Sequence, residues 1–151
     1  MLDGTDVVYV ARAAADRIMS VNITIGTRFP AYATSMGRIL LAGMSTQRLD
    51  AYLDAVTLTP LTARTITSKP TLRAAIQKTA EQGYCIVDEE LEMGLRSVAC
   101  PIFNARDEVI AAVNVSAHAA AYPLEQVTDT LLPPLKETAR AITADVKTTK
   151  K

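Results

Sequence analysis

The chain has 151 residues, 49% of them apolar, with 16 basic and 16 acidic side chains and one histidine. That size and apolarity fit one ordered domain with its own core, and the zero net charge argues against a nucleic-acid-binding surface. No apolar run approaches the ~18 residues of a membrane span, and Met1-Leu2-Asp3 begins nothing like a signal peptide, so the expected compartment is the cytoplasm, away from any membrane.

In chain order, Val7–Ala11 is β-rich and Ile18–Ile25 forms a second such run, interrupted by Asn22. The abrupt opening in a strand suggests a fragment of a longer protein. Thr34-Ser35-Met36-Gly37 precedes a short helix over Arg38–Ala42 that ends near Gly43. Gln47–Val56 predicts a second helix, with Leu49, Tyr52, Leu53 and Val56 on one face. A threonine-rich link, Thr57–Lys69, leads to Pro70 in a first helical turn and to Leu72, Ala75, Ile76, Thr79 and Ala80 at helical spacing, with Gly83 as the stop.

Three strands follow, Tyr84–Val87, Arg96–Phe103 and Val109–Ala117, the last two joined tightly through Asn104-Ala105-Arg106-Asp107. A long amphipathic helix closes the chain, carrying Leu124, Val127, Leu131, Leu135, Ala139, Ile142 and Val146, with a kink or break expected at Pro133-Pro134. The order of elements predicts an α+β fold, a largely antiparallel sheet covered by helices.

Few residues point to catalysis. Cys85 and Cys100 sit among apolar neighbours, as buried free thiols do, and His118 has no acid partner nearby in the chain. Asp88, Glu89, Glu90 and Glu92 lack the spacing of a calcium loop and are expected to form a solvated acidic turn. No metal and no cofactor is expected.

The strands carry a different pattern. Alternation places Val109, Ala111, Val113, Val115 and Ala117 on one face, read as core, and Ile110, Ala112, Asn114, Ser116 and His118 on the other. Ser97 shares its face with Leu95, Ala99, Pro101 and Phe103. Small residues with a few hydroxyl and amide groups suit the wall of a small-molecule pocket, and equally suit an ordinary core or an exposed sheet face. Thr34 to Gly37 adds hydroxyls and N–H groups at a positive helix end, suited to a carboxylate or to a plain N-cap, with Arg28 and Arg38 flanking as candidate anion partners.

Three blocks, GTRFPAYATSMGRILLA (Gly26–Ala42), GYCIVDEELEMGLRSVACPIF (Gly83–Phe103) and VIAAVNVSAHAA (Val109–Ala120), resemble the effector-binding domain of the IclR family of bacterial transcription regulators. The resemblance spans almost the whole chain. It implies a GAF-like fold that senses small metabolites, and an N-terminal winged helix-turn-helix domain that this chain does not include. RFPAYATSMGR, ELEMGLRS and NVSAHA further resemble the PcaR, PcaU and PobR branch, which regulates aromatic-acid catabolism such as the β-ketoadipate pathway.

Carried over by position, the resemblance implies a pocket lined by Ser35, Met36, Gly37, Val87, Ser97, Asn114 and Ser116, to which the apolar wall adds Leu95. The family often has aspartate where this chain has Val87 and cysteine where it has Ser97. The valine points to a larger, partly apolar acid rather than a two- or three-carbon one. The expected partners are a small organic acid, further copies of the chain as a dimer or tetramer, and DNA through the N-terminal domain alone. The alternatives are an enzyme using Cys85, Cys100 or His118, and an oligomerisation module whose pocket is filled by side chains.

Overall fold

A computed structural model describes residues 1–13 and 23–149. Its described strands form two antiparallel sheets of three: β1 (Leu2–Asp3), β2 (Asp6–Val8) and β3 (Arg28–Pro30) in one, β4 (Cys85–Asp88), β5 (Leu95–Phe103) and β6 (Val109–His118) in the other. Helices α1 (Ser35–Ala42), α2 (Thr46–Ala55) and α3 (Lys69–Gln82) come between the sheets in sequence. A C-terminal helix runs through α4 (Leu124–Gln126), a π turn (Val127–Leu131) and α5 (Leu132–Thr148). The architecture is α+β, as the order of elements predicts.

Strand β5 lies at the centre of its sheet, between β4 and β6, and both its faces are covered. One face, with Ala99, packs on Met36, Ile39 and Leu40 of α1. The opposite face, with Val98 and Cys100, packs on Leu132, Leu135 and Ala139 of α5. A separate cluster joins Leu41 of α1 to Tyr52 and Leu53 of α2 and to Leu72 and Ile76 of α3. Each such fully buried aliphatic side chain stabilises the fold by about 1.5–3 kcal/mol, so truncating Leu41 or Leu72 to alanine removes more than any surface contact can restore.

Several expectations change. Helix α1 begins at Ser35, not Arg38, because Thr34 caps it: the Thr34 side chain accepts from the Gly37 N–H at 3.1 Å. Ser35, Met36 and Gly37 are thus its first turn. The first strand ends at Val8, and Val10 and Ala11 are exposed beyond it. Of the run Ile18–Ile25, positions 18–22 lie outside the described residues, and Ile25-Gly26 form a turn.

Pro133 and Pro134 do not break the C-terminal helix. The widened π turn just before them closes with the Leu132 N–H donating to the Val127 carbonyl, and the prolines then occupy the first turn of α5, where no N–H is required.

The two faces of β6 are also not the simple alternation expected. Ile102 pairs with Ala111 but Phe103 pairs with Val109, so Ile110 is an extra residue, a β-bulge. Val109 therefore joins Ala112 against α1, while Val113 packs toward α5 and Val115 is 36% exposed. The face read as pure core is partly open, and the face with the polar residues is the one turned toward α1.

Candidate functional site

The register of the second sheet brings distant residues abreast. Val87 pairs with Ser97 and Ser97 with Ser116, while Cys85 pairs with Ala99 and Ala99 with Asn114. Because side chains in directly paired positions point to the same face, Val87, Ser97 and Ser116 form one row across three strands. The first turn of α1 lies over this row, and between them is a narrow cavity lined by Ser35, Met36, Val87, Leu95, Ser97, Asn114 and Ser116, with Tyr9, Ala33, Thr34 and Leu91 completing it.

Seven of the eight sequence-derived positions thus converge, and Gly37 is not among the walls. A Cβ at Gly37 would lie 2.2 Å from the Ala31 carbonyl oxygen and 2.5 Å from Thr34 Oγ1. Glycine is required there by the close approach of the preceding turn, a packing constraint that explains the residue without a ligand.

The polar groups at the site find one another. Ser97 Oγ donates to Ser35 Oγ at 2.8 Å, and Asn114 Nδ2 donates to Ser116 Oγ at 3.3 Å. The Gly37 N–H is taken by Thr34, which leaves the N–H groups of Ser35 and Met36 at the positive end of α1 for an acceptor. Burial pushes the Tyr9 phenol above its ordinary value, opposed by a hydrogen bond from Asn114 and by the Arg12 charge. Tyr9 also stacks edge-on against Phe29, with ring centroids 5.9 Å apart. The cavity measures about 10 Å3, room for a single water.

The flanking arginines are committed elsewhere. Arg28 is an exposed partner of Asp3 at 2.6 Å and Asp6 at 3.3 Å. Arg38 is buried, donating from Nη1 to Glu90 at 2.7 Å and from Nε to the Tyr32 carbonyl at 2.9 Å. Neither lines the cavity.

The acidic segment is accordingly not a solvated turn. Glu90 is 8% exposed, Asp88 pairs with Arg96 at 2.6 Å and Arg64 at 2.7 Å, and Glu89 pairs with Arg64 at 3.4 Å. The threonine-rich link explains itself here: Thr62 Oγ1 donates to the Glu89 carbonyl at 2.7 Å and Thr65 Oγ1 to the Glu90 carbonyl at 2.6 Å. These bonds fix Leu91, the one apolar residue of the acidic run, beside the cavity.

Sequence reasoning missed Tyr9 and Leu91. Tyr9 arrives through the fold of the first sheet, which no local pattern registers. Leu91 carried a signal, being apolar amid four carboxylates.

Catalytic candidates fare poorly. Cys85 and Cys100 are free and buried, and burial pushes both thiols up, away from the thiolate that chemistry would need. His118 is exposed at the end of β6. Among the described residues no group of His, Cys, Asp and Glu could hold a metal ion, and no helix is long and apolar enough to cross a membrane.

The family model "Bacterial transcriptional regulator IclR C-terminal" matches residues 1–144. The chain belongs to the IclR C-terminal domain family. Members of this family and its relatives are transcription regulators and not enzymes. This IclR domain is 45% identical over 140 residues to the Pca regulon regulatory protein of Pseudomonas putida, covering 92% of this chain and 48% of that protein. Among solved structures it resembles a protein of Rhodococcus sp. RHA1 described as a transcriptional regulator, with 54% identity and a TM-score of 0.92 over 96% of this chain and 59% of that one.

It also resembles the inducer-binding domain of a double mutant of the PobR transcription factor from Acinetobacter, solved with 3-hydroxybenzoic acid. That match has 31% identity and a TM-score of 0.85, over 94% of this chain and 83% of that one. The chain spans about half the length of the Pseudomonas relative.

Proposed function

We propose that this IclR domain senses an aromatic or otherwise partly apolar organic acid within a regulator of aromatic catabolism. The reading rests above all on the cavity between α1 and β4–β6, where four polar side chains, Ser35, Ser97, Asn114 and Ser116, face the apolar Met36, Val87 and Leu95 beneath a helix N-terminus. The acid's carboxylate takes the N–H groups of Ser35 and Met36 and the Ser35 hydroxyl. Ser97, Asn114 and Ser116 bind the remaining oxygens, and the body of the ligand lies on Met36, Val87 and Leu95.

The Pseudomonas and Acinetobacter relatives, by their names a pca regulator and a hydroxybenzoic acid-complexed inducer domain, support the aromatic-acid class. The full regulator then binds DNA through a winged helix-turn-helix outside these residues and acts as a homo-oligomer in the cytoplasm. A ligand that favours one arrangement of subunits by about 1–3 kcal/mol is enough to change promoter occupancy.

A thermal-shift panel of 4-hydroxybenzoate, 3-hydroxybenzoate, protocatechuate, β-ketoadipate, muconate, pyruvate and glyoxylate tests this. An effector at 100 times its dissociation constant adds about 2.7 kcal/mol, and the aromatic or six-carbon acids should act where the small keto acids do not. No stabilisation by any of the acids sinks the reading.

A second reading draws on the cavity's size. At about 10 Å3 it is filled by its own side chains, as in a ligand-free oligomerisation module. The same panel separates the two, because such a module responds to none of the acids while still self-associating.

A further inference from the structure

A larger concavity lies between the C-terminal end of β5 and α5. It measures about 480 Å3, within the range of ~300–1,000 Å3 typical of small-molecule sites. Its floor is apolar: Cys100, Pro101 and Phe103 from β5, with Ala139 from α5. Along its rim α5 places three cations, Lys136, Arg140 and Lys147.

Their roles differ. Lys147 pairs with Asp107 at 2.5 Å, and Lys136 sits over the Tyr84 ring, 5.1 Å from its centroid. Arg140 is exposed and has no carboxylate partner among the described residues. The charge of Lys136 and Arg140 reaches the floor, where it opposes the upward push of burial on the Cys100 thiol.

We infer that this groove is a second small-molecule site, distinct from the Ser97 cavity, and that it takes an amphipathic anion, an aryl or acyl carboxylate whose apolar body rests on Phe103 and Ala139 and whose head meets Arg140 and Lys136. Two cations without a carboxylate partner, Lys136 against the Tyr84 ring and Arg140, stand over an apolar floor and select a negative head attached to an apolar body. An inorganic anion would leave the floor wet, and a neutral hydrocarbon would leave Arg140 unanswered. A stable copy-to-copy contact needs roughly 800 Å2 from each partner, so the groove by itself is too small to be one.

The location has a consequence for sensing. Ser97 of the first cavity and Cys100 of the groove stand three residues apart on the same strand, facing opposite ways. Binding in the groove is therefore positioned to change affinity in the cavity, and any such coupling must be reciprocal.

The test is a titration of the 15N-labelled 151-residue chain with 2-naphthoate, followed by amide shifts. Saturable shifts at Cys100, Phe103 and Arg140 are expected, and they should persist in Ser97→Leu, whose change lies in the other cavity. Arg140→Glu should weaken this binding about tenfold or more, Arg140→Lys should largely retain it, and Ala144→Trp, which fills the groove from the exposed side of α5, should abolish it. Three results overturn the inference: shifts confined to Ser35 and Ser97, an affinity unchanged in Arg140→Glu, or perturbation of groove amides that follows protein concentration rather than naphthoate. The last would make the groove an interface between copies.

Discussion

Ser97 Oγ donates to Ser35 Oγ at 2.8 Å, tying the middle of β5 to the first residue of α1 across 62 positions of sequence. Each hydroxyl answers the other in a cavity with room for a single water. Ser97→Ala should cost about 1 kcal/mol, the usual net worth of such a bond. Ser35→Ala should cost a similar amount, and the double variant less than the sum. Urea denaturation of the four proteins without ligand measures this, and strict additivity would show that the bond does not stabilise the domain.

The buried pair of Arg38 and Glu90, 4% and 8% exposed, makes a harsher prediction. Glu90→Gln leaves a buried guanidinium without its counter-charge and should destabilise by about 3–5 kcal/mol, whereas Arg38→Met combined with Glu90→Leu should recover much of that loss. Chemical denaturation midpoints decide it; a Glu90→Gln protein as stable as the parent would mean the pair is solvated.

Gly37→Ala should destabilise by about 1–3 kcal/mol or more, an overpacking cost, because the new methyl would meet backbone rather than a side chain that can move aside. A thermal melt checks it. Gly83→Ala offers a contrast: its φ is 77° with open space around the added carbon, so the loss there comes from backbone strain alone.

The thiols make a prediction about pH. Burial raises Cys85 and Cys100 above their ordinary value of 9.0, so the folded state holds their protons more tightly than the unfolded chain does. Their contribution to stability is present in full below about pH 9 and is lost as pH rises through the folded values. Burial raises the Tyr52 phenol as well, from 10.0, which extends the decline upward. Urea midpoints should fall beyond pH 9, less steeply in Cys85→Ala. Iodoacetamide at pH 7 should label both thiols slowly until the domain unfolds.

Much of the site was legible because it is built from local regularities. Alternation along β5 put Ser97 and Leu95 on one face, alternation along β6 did the same for Asn114 and Ser116, and Thr34 announced a helix start. What failed was whatever depends on contacts between distant segments. Arg38 looks like a surface cation until Glu90 is brought to it by the fold, and the threonines of the link look like solvated polar residues until Thr62 and Thr65 meet the carbonyls of Glu89 and Glu90. One position of β6 misread for another reason: the extra residue Ile110 shifts the phase so that Val109 joins the α1 face, while Ala111 to His118 keep the expected alternation.

Asp88 holds two arginines that reach in opposite directions. Arg64 belongs to the link before α3, and Arg96 donates onward to the carbonyls of Ala119 and Tyr122, just ahead of the C-terminal helix. The turn that roofs the cavity beside Leu91 is therefore clamped to the root of that helix by one carboxylate. Displacing Asp88 would therefore break contacts with the link and with the root of the C-terminal helix at once.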